Sequence, residues 1–195
     1  HRPLGGRKGP YTDDPDRTVG RIPRDRGRRP KSYAIAIDPG NTQSAYVLLD
    51  GATYQPIEFG KRSNIDLRLD LPKLIRHYQP TIAIEMIASY GMAVGAEVFE
   101  TCVWIGRYIE VGWRSSGTDA QLVKRHDVKL HHCHSAKAKD ANITQALIDR
   151  FAPDVRNKGK GTKAEPGWFY GFAADVWQSY ALAVYVADRM NGVTP

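Results

Sequence analysis

Three carboxylates stand where a folded chain has reason to avoid them. Asp38 closes the run Ser32 to Asp38 (SYAIAID), in which Tyr33, Ile35 and Ile37 alternate with Ala34, Ala36 and Asp38, so the acid shares a face with two alanines. Glu85 lies inside Thr81 to Ile87 (TIAIEMI), on the face of Thr81 and Ala83. Small residues followed by an acid imply that something packs closely over that face and leaves each carboxylate beside a narrow crevice. Asp175 stands at the head of a final helix, about Ala174 to Met190, whose Ala173, Ala174, Ala181 and Ala183 permit that approach. Three acids then converge. Like charges this close raise at least one pKa unless a divalent cation compensates, and hard oxygen ligands suit Mg²⁺ or Mn²⁺. Singly, Asp38 also reads as a turn residue and Asp175 as a helix N-cap. Glu85 has no such plain reading, because an acid in an apolar strand is costly unless paired, liganded or protonated.

The elements that must position these acids follow from periodicity. After the first strand, Asp38-Pro39-Gly40-Asn41 is strong turn chemistry, and Ser44 to Leu49 with Asp50-Gly51 predicts a second strand and a tight hairpin to a third near Gln55 to Gly60. Leu71, Leu74, Ile75 and Tyr78 place a helix over Asp70 to Tyr78 with Pro72 in its first turn, and Gln79-Pro80 ends it. Glu97 to Trp113 is helical and apolar nearly all round, which puts it at the centre of the fold or at a subunit interface. A weaker strand is expected over Val123 to His132, then a helix over Asp140 to Phe151 with Asp140 as N-cap, and a Gly/Pro/Lys loop from Asn157 to Gly171. The fold class is α/β: a mixed five-stranded sheet, its first three strands antiparallel, flanked by helices.

Charge divides the 195 residues in two. Residues 1–31 hold ten basic and four acidic side chains and ten glycines and prolines, whereas 18 basic and 17 acidic residues follow from Ser32 onward. The first segment is expected to be a disordered basic tail and 32–195 a single folded domain. The tail reads either as an arm along a phosphate backbone or as a solubilising or processed extension. Cys102 and Cys133 are too few for a disulfide scaffold, and no apolar run approaches a membrane span. A cytoplasmic setting in a bacterial or phage-infected cell is expected, with an organelle-targeting segment left open because the chain starts at His1.

At this point the chain resembles the RuvC-type Holliday-junction resolvases of the ribonuclease H-like superfamily, phage and prophage members in particular. Ala36 to Thr42 (AIDPGNT) is similar to that family's first strand and turn, Ile82 to Glu85 to its fourth strand, and Asp175 to Ala181 (DVWQSYA) to its closing helix. Ala138 to Ile143 and the Gly161-Thr162-Lys163, Pro166-Gly167 and Tyr170-Gly171 pieces of the loop resemble it as well, so the likeness spans residues 33 to 190. One departure stands out: Gln178 occupies the place of a second acid one turn into the last helix.

The resemblance implies a crossover junction endodeoxyribonuclease that hydrolyses phosphodiesters with two metal ions, leaving 5′-phosphate and 3′-hydroxyl ends. Asp38 would bridge both ions, Glu85 would hold one and Asp175 the other, with Mg²⁺ as cofactor and Mn²⁺ as substitute. Branched DNA, a four-way junction first, is the implied partner and a homodimer the implied assembly, with no nucleotide cofactor and no membrane. Lys137, Lys139 and Lys163 are candidates for phosphate contacts, against the plainer reading of solvated lysines. Tyr90, Trp168 and Tyr170, with Phe99 and Phe169 behind them, are candidates for stacking on unpaired bases, although most aromatics belong to cores.

Other signals carry less. His126, His131, His132, Cys133 and His134 lack the spacing of a zinc site, since in a strand at most His132 and His134 share a side. Gly159-Lys160-Gly161-Thr162 lacks the earlier glycine of a phosphate loop. The DPGNT turn also resembles the phosphate loop of actin and sugar-kinase ATPases, but the chain is too short for their two domains. The serious rival is a non-catalytic, structure-selective DNA-binding module on the same scaffold.

Overall fold

The computed structural model describes residues 32–88, 91 and 93–193; the basic tail over 1–31 and Tyr90 lie outside them. Strands β1 (Tyr33–Asp38), β2 (Gln43–Asp50), β3 (Pro56–Ser63), β4 (Thr81–Met86) and β5 (Gln121–Lys124) form one sheet in the order β3-β2-β1-β4-β5. β1 pairs antiparallel with β2 and β2 with β3, while β4 runs parallel to β1 and β5 parallel to β4. This is the mixed α/β sheet expected from the sequence.

Alternation along β1 sends its residues to two different cores. Ile35 and Ile37 join Tyr46, Leu48, Ile82 and Ile84 beneath helices α1 (Asn64–Tyr78) and α2 (Ala96–Ser116). Ala34 and Ala36 join Val47, Leu49 and Ala83 on the opposite face, together with α3 (Arg125–Cys133), α4 (Asp140–Phe151) and α5 (Ala174–Met190). α5 packs across β1, β2, β3 and β4, with Ala181, Leu182, Ala183 and Val184 fully buried. The small face of β1 and β4 is therefore the face that admits the last helix, as the alanine pattern requires. Among the described residues no helix is long and apolar enough to cross a membrane.

Four local expectations need correction. α1 begins six residues before Asp70, capped by Ser63, whose hydroxyl accepts from the Asp66 amide at 3.2 Å, so Pro72 lies two turns inside the helix. Burial of Leu67, Leu71 and Ile75 outweighs the lost backbone bond there. Of the two places expected for the apolar α2, it does not take the centre of the fold: Thr101, Ile105, Tyr108 and Gly112 are buried while Phe99, Val103 and Trp113 are more than half exposed. The stretch Val123 to His132 is not one strand; β5 stops at Lys124 and α3 follows, burying Val128 and His131 one turn apart. His131 and His132 then follow helical geometry: His131 Nε2 meets Asp188 at 2.7 Å and His132 Nε2 meets the Ala181 carbonyl at 2.9 Å. Finally, Lys139 rather than Asp140 caps α4, with the Asn142 side-chain oxygen accepting from its amide at 2.9 Å.

Candidate active site

Register places two of the acids side by side. In the parallel β1–β4 pair Ala36 lies opposite Ala83 and Ile37 opposite Ile84, so one further step brings Asp38 beside Glu85 on the α5 face. Asp175 enters from the first turn of α5 and lines, with Asp38, Lys61 and the turn 39–43, a groove of about 240 Å³. The turn after Asp38 is fixed from beneath. Asn64 donates from its side-chain amide to the Gly40 carbonyl at 2.9 Å, the Gly40 amide donates to Ser44 Oγ at 3.3 Å, and Ser44 donates to Asn64 Oδ1 at 2.6 Å. The buried Tyr108 hydroxyl lies 3.1 Å from both Ser44 Oγ and Asn64 Oδ1. A side chain at position 40 would place its Cβ 2.4 Å from the Gln43 carbonyl oxygen, so this close turn takes only glycine.

The electrostatics are those of crowded acids. Burial pushes the Asp38 carboxyl up to about 7, and Glu85, Asp175 and Asp140 push it the same way while Arg125 opposes them. Glu85 is also raised by burial, again against Arg125. Arg125, just past the end of β5, puts Nη1 3.2 Å from Glu85 Oε2 and Nη2 2.7 Å from Asp140 Oδ1, and contacts the side-chain oxygen of Gln178. Lys61, near the end of β3, pairs with Asp175. Asp38 itself has no ion pair or side-chain hydrogen bond among the described residues.

This donor set fits a hard divalent cation. Asp38 and Asp175 line one groove and Glu85 follows Ile84 in the strand beside Asp38, while burial first and its acidic neighbours second raise the Asp38 carboxyl, so hard oxygen donors collect where positive charge is short. Arg125 and Lys61 already cover Glu85 and Asp175, and among the described residues no three His, Cys, Asp or Glu side chains close around a single point.

The remaining predicted residues scatter around this groove. Lys137 and Lys139 are exposed between α3 and α4, and Lys163 is exposed on the loop ahead of α5. That loop closes through a bridge between Gly161 and Pro166 and is anchored by Phe169, which is fully buried against Phe172, Trp177 and Tyr180. Trp168 is committed as well: it stacks on Phe151 at 5.3 Å and its indole N–H donates to the Tyr180 hydroxyl at 2.9 Å. Of the loop aromatics Tyr170 alone is exposed, whereas Phe169 is a core residue and Trp168 is half-buried and packed against that core. Tyr90 lies outside the described residues.

Sequence reasoning missed Arg125, Asp140, Lys61, Lys158 and Lys160. Val123 lies opposite Glu85, so Arg125, two residues on, continues the same face; the alternation carried that signal. Lys61 pairs with Ala45, which pairs with Asp38, but a register shift at Leu48/Leu49 hides that relation from hairpin counting. Lys158 and Lys160 line a second groove of about 530 Å³ with Asp140, Asp175, Trp177 and Gln178, immediately beside the acids.

The sheet is ordered β3-β2-β1-β4-β5 with a helix laid over its small-residue face, and acids stand near the ends of β1 and β4 and at the head of α5. No protein-family model matches the chain, and no curated protein matches it. Among solved structures it is similar to that of Thermus thermophilus RuvC, with a TM-score of 0.60 and 12% identity over 83% of this chain and 98% of that one. It is similar as well to T. thermophilus RuvC in complex with Holliday junction substrate, at a TM-score of 0.59 and 10% identity, with the same coverage of both chains. At these identities the likeness establishes the fold.

Proposed function

We propose that this protein is a metal-dependent endonuclease that cleaves branched DNA, four-way junctions first, to 5′-phosphate and 3′-hydroxyl ends. The observation that carries the reading is that Asp38 and Asp175 line one groove with Glu85 in the strand beside Asp38, the buried Asp38 being pushed up to about 7 by burial and by its acidic neighbours. The shared fold adds support, since one of the similar structures is a RuvC bound to a Holliday junction substrate.

Asp38, Glu85 and Asp175 would hold Mg²⁺ or Mn²⁺, which supplies activation of the attacking water and screening of charge on the phosphoryl group. The chain's own groups do the rest. Lys158 and Lys160 flank the acids from the α5 side and Lys137 and Lys139 from the head of α4, a cationic border that draws a DNA backbone across the groove. Lys163 and Tyr170 extend that border along the loop, Tyr170 offering an exposed ring to an unpaired base. Two copies would meet through α2, where Phe99, Val103 and Trp113 are exposed.

A second reading, a branch-selective binding module without chemistry, is favoured by the pairing of Arg125 with Glu85 and of Lys61 with Asp175. Incubating the protein with a labelled four-way junction, a flap and a plain duplex in Mg²⁺, beside Asp38→Asn and an EDTA control, separates the two. Paired nicks in the junction that vanish in the variant and with EDTA support the nuclease. Junction binding without cleavage in Mg²⁺ or Mn²⁺ overturns it in favour of the binding module.

A further inference from the structure

The two cations already at the acids are held very differently. Lys61 and Asp175 are each nearly half exposed, so their pair is solvated, and a lysine ammonium on a flexible stem yields readily to a stronger cation. Arg125 and Glu85 are each 19% exposed. The guanidinium contacts three acceptors at once, on Glu85, Asp140 and Gln178, using the planar fork that a lysine lacks. Its backbone is equally constrained, because Met86 pairs with Lys124 in the sheet and α3 begins at Arg125 itself.

We infer that Arg125 is a resident counter-charge at the Glu85 side of the groove, so that this site takes one divalent cation, between Asp38 and Asp175, instead of the two that the resemblance to RuvC-type resolvases implies. The inference rests on the metal-dependent reading above and specifies how many ions that reading involves. Four carboxylates, on Asp38, Glu85, Asp140 and Asp175, face two cations in direct contact, Arg125 and Lys61. Among direct contacts the surplus is two negative charges, which a single divalent ion neutralises; Lys129 adds a weaker positive field at Glu85, and Lys158 and Lys160 line the adjacent groove. Arg125 takes Glu85 Oε2, so a second ion bound through that oxygen would displace the guanidinium and remove its contacts with Asp140 and Gln178.

Gln178 belongs to the same arrangement. It stands one turn after Asp175 on α5 and turns a neutral oxygen toward the guanidinium. An arginine in the ion's place removes the need for a further anionic ligand there, and a neutral amide still satisfies the guanidinium's third direction.

The test is a Mn²⁺ titration of the full chain bound to a four-way junction, read by electron paramagnetic resonance, with Asp38→Asn as background. Wild type should bind one Mn²⁺ per chain and give the spectrum of an isolated ion. Arg125→Gln, shown to be folded by circular dichroism, should roughly double the bound Mn²⁺ and give the spin-coupled signal of a close pair. Arg125→Lys, which keeps the charge, should stay at one. A coupled pair in wild type overturns the inference and leaves the metal-dependent nuclease standing, and that spectrum decides the matter even where the glutamine variant fails to fold. A folded Arg125→Gln that stays at one ion overturns it too. No bound Mn²⁺ in any form overturns both this inference and the reading beneath it.

Discussion

The side-chain amide of Asn64, at the head of α1, donates to the Gly40 carbonyl at 2.9 Å across 24 residues of chain. It thereby joins the turn that follows Asp38 to the layer of helices on the far side of the sheet. Asn64 is buried, and Ser44 and Tyr108 both direct hydroxyls toward its oxygen. Asn64→Ala therefore leaves the Ser44 hydroxyl without its acceptor and the Gly40 carbonyl without its side-chain donor, and the Tyr108 hydroxyl with Ser44 alone. It should lower stability by about 2–3 kcal/mol, the cost of stranding buried polar groups. Because the turn carries Asp38, junction cleavage should fall further than junction binding. Urea unfolding alongside cleavage and gel-shift measurements checks both parts, and an equal loss of cleavage and binding would show that the turn does not position the acid.

Stability should depend on pH in a direction set by Asp38. Its folded-state pKa, about 7, lies above the ordinary carboxylate value of 3.8, and Glu85 is shifted the same way. A group raised on folding binds protons more tightly in the native state, so its contribution is present below about pH 4 and is lost as pH rises toward 7. In EDTA the melting temperature should fall between pH 5 and pH 8. Asp38→Asn should flatten that slope, and saturating Mg²⁺ should restore stability at pH 8. A slope unchanged by Asp38→Asn would place the proton elsewhere.

At the other end of α5 a buried carboxylate is fully partnered. Asp188 accepts from both Arg150 guanidinium nitrogens at 2.7 Å and from the Tyr54 hydroxyl at 2.8 Å, and lies 2.7 Å from His131 Nε2. Those partners outweigh its burial and hold its carboxyl well below the usual range. Its contribution is thus present above pH 4 and lost in acid. Arg150→Ala should cost about 3 kcal/mol by leaving a buried charge short of its cation, toward the low end because Arg150 is itself a third exposed. Cleavage by the surviving folded fraction should be unchanged, which calorimetry with single-turnover assays will test.

How far the sequence speaks for this fold depends on whether a signal is periodic or relational. Ile35 and Ile37 against Ala34 and Ala36 spell out two faces of unlike depth, and the face of small residues is the one α5 covers. Asp38 and Glu85 follow from that pattern, and Asp175 from its place at the head of the alanine-bearing last helix. Arg125 does not stand out, because the segment after Val123 mixes strand and helix spacing and only burial of Val128 and His131 resolves it as a helix. Pro72 argues locally against a longer α1, and tertiary burial overrides it. Trp168 and Tyr170 are equivalent in sequence, and only packing tells them apart.

That last pair yields a matched comparison. Trp168 is stacked on Phe151 and hydrogen-bonded to Tyr180, which in turn donates to the Tyr54 carbonyl at 2.9 Å. Trp168→Ala opens a cavity in this aromatic cluster and removes the donor to the Tyr180 hydroxyl oxygen, so it should destabilise the fold by about 3–5 kcal/mol. Tyr170 is 43% exposed. Tyr170→Ala should leave the melting temperature within a degree or two and weaken junction binding about 5- to 150-fold, the equivalent of about 1–3 kcal/mol, if a base stacks on the ring. Melting curves and junction titrations on the two variants should therefore move in opposite columns. Weakened binding in a fully folded Trp168→Ala with none in Tyr170→Ala would reverse the assignment and return the indole to the DNA surface.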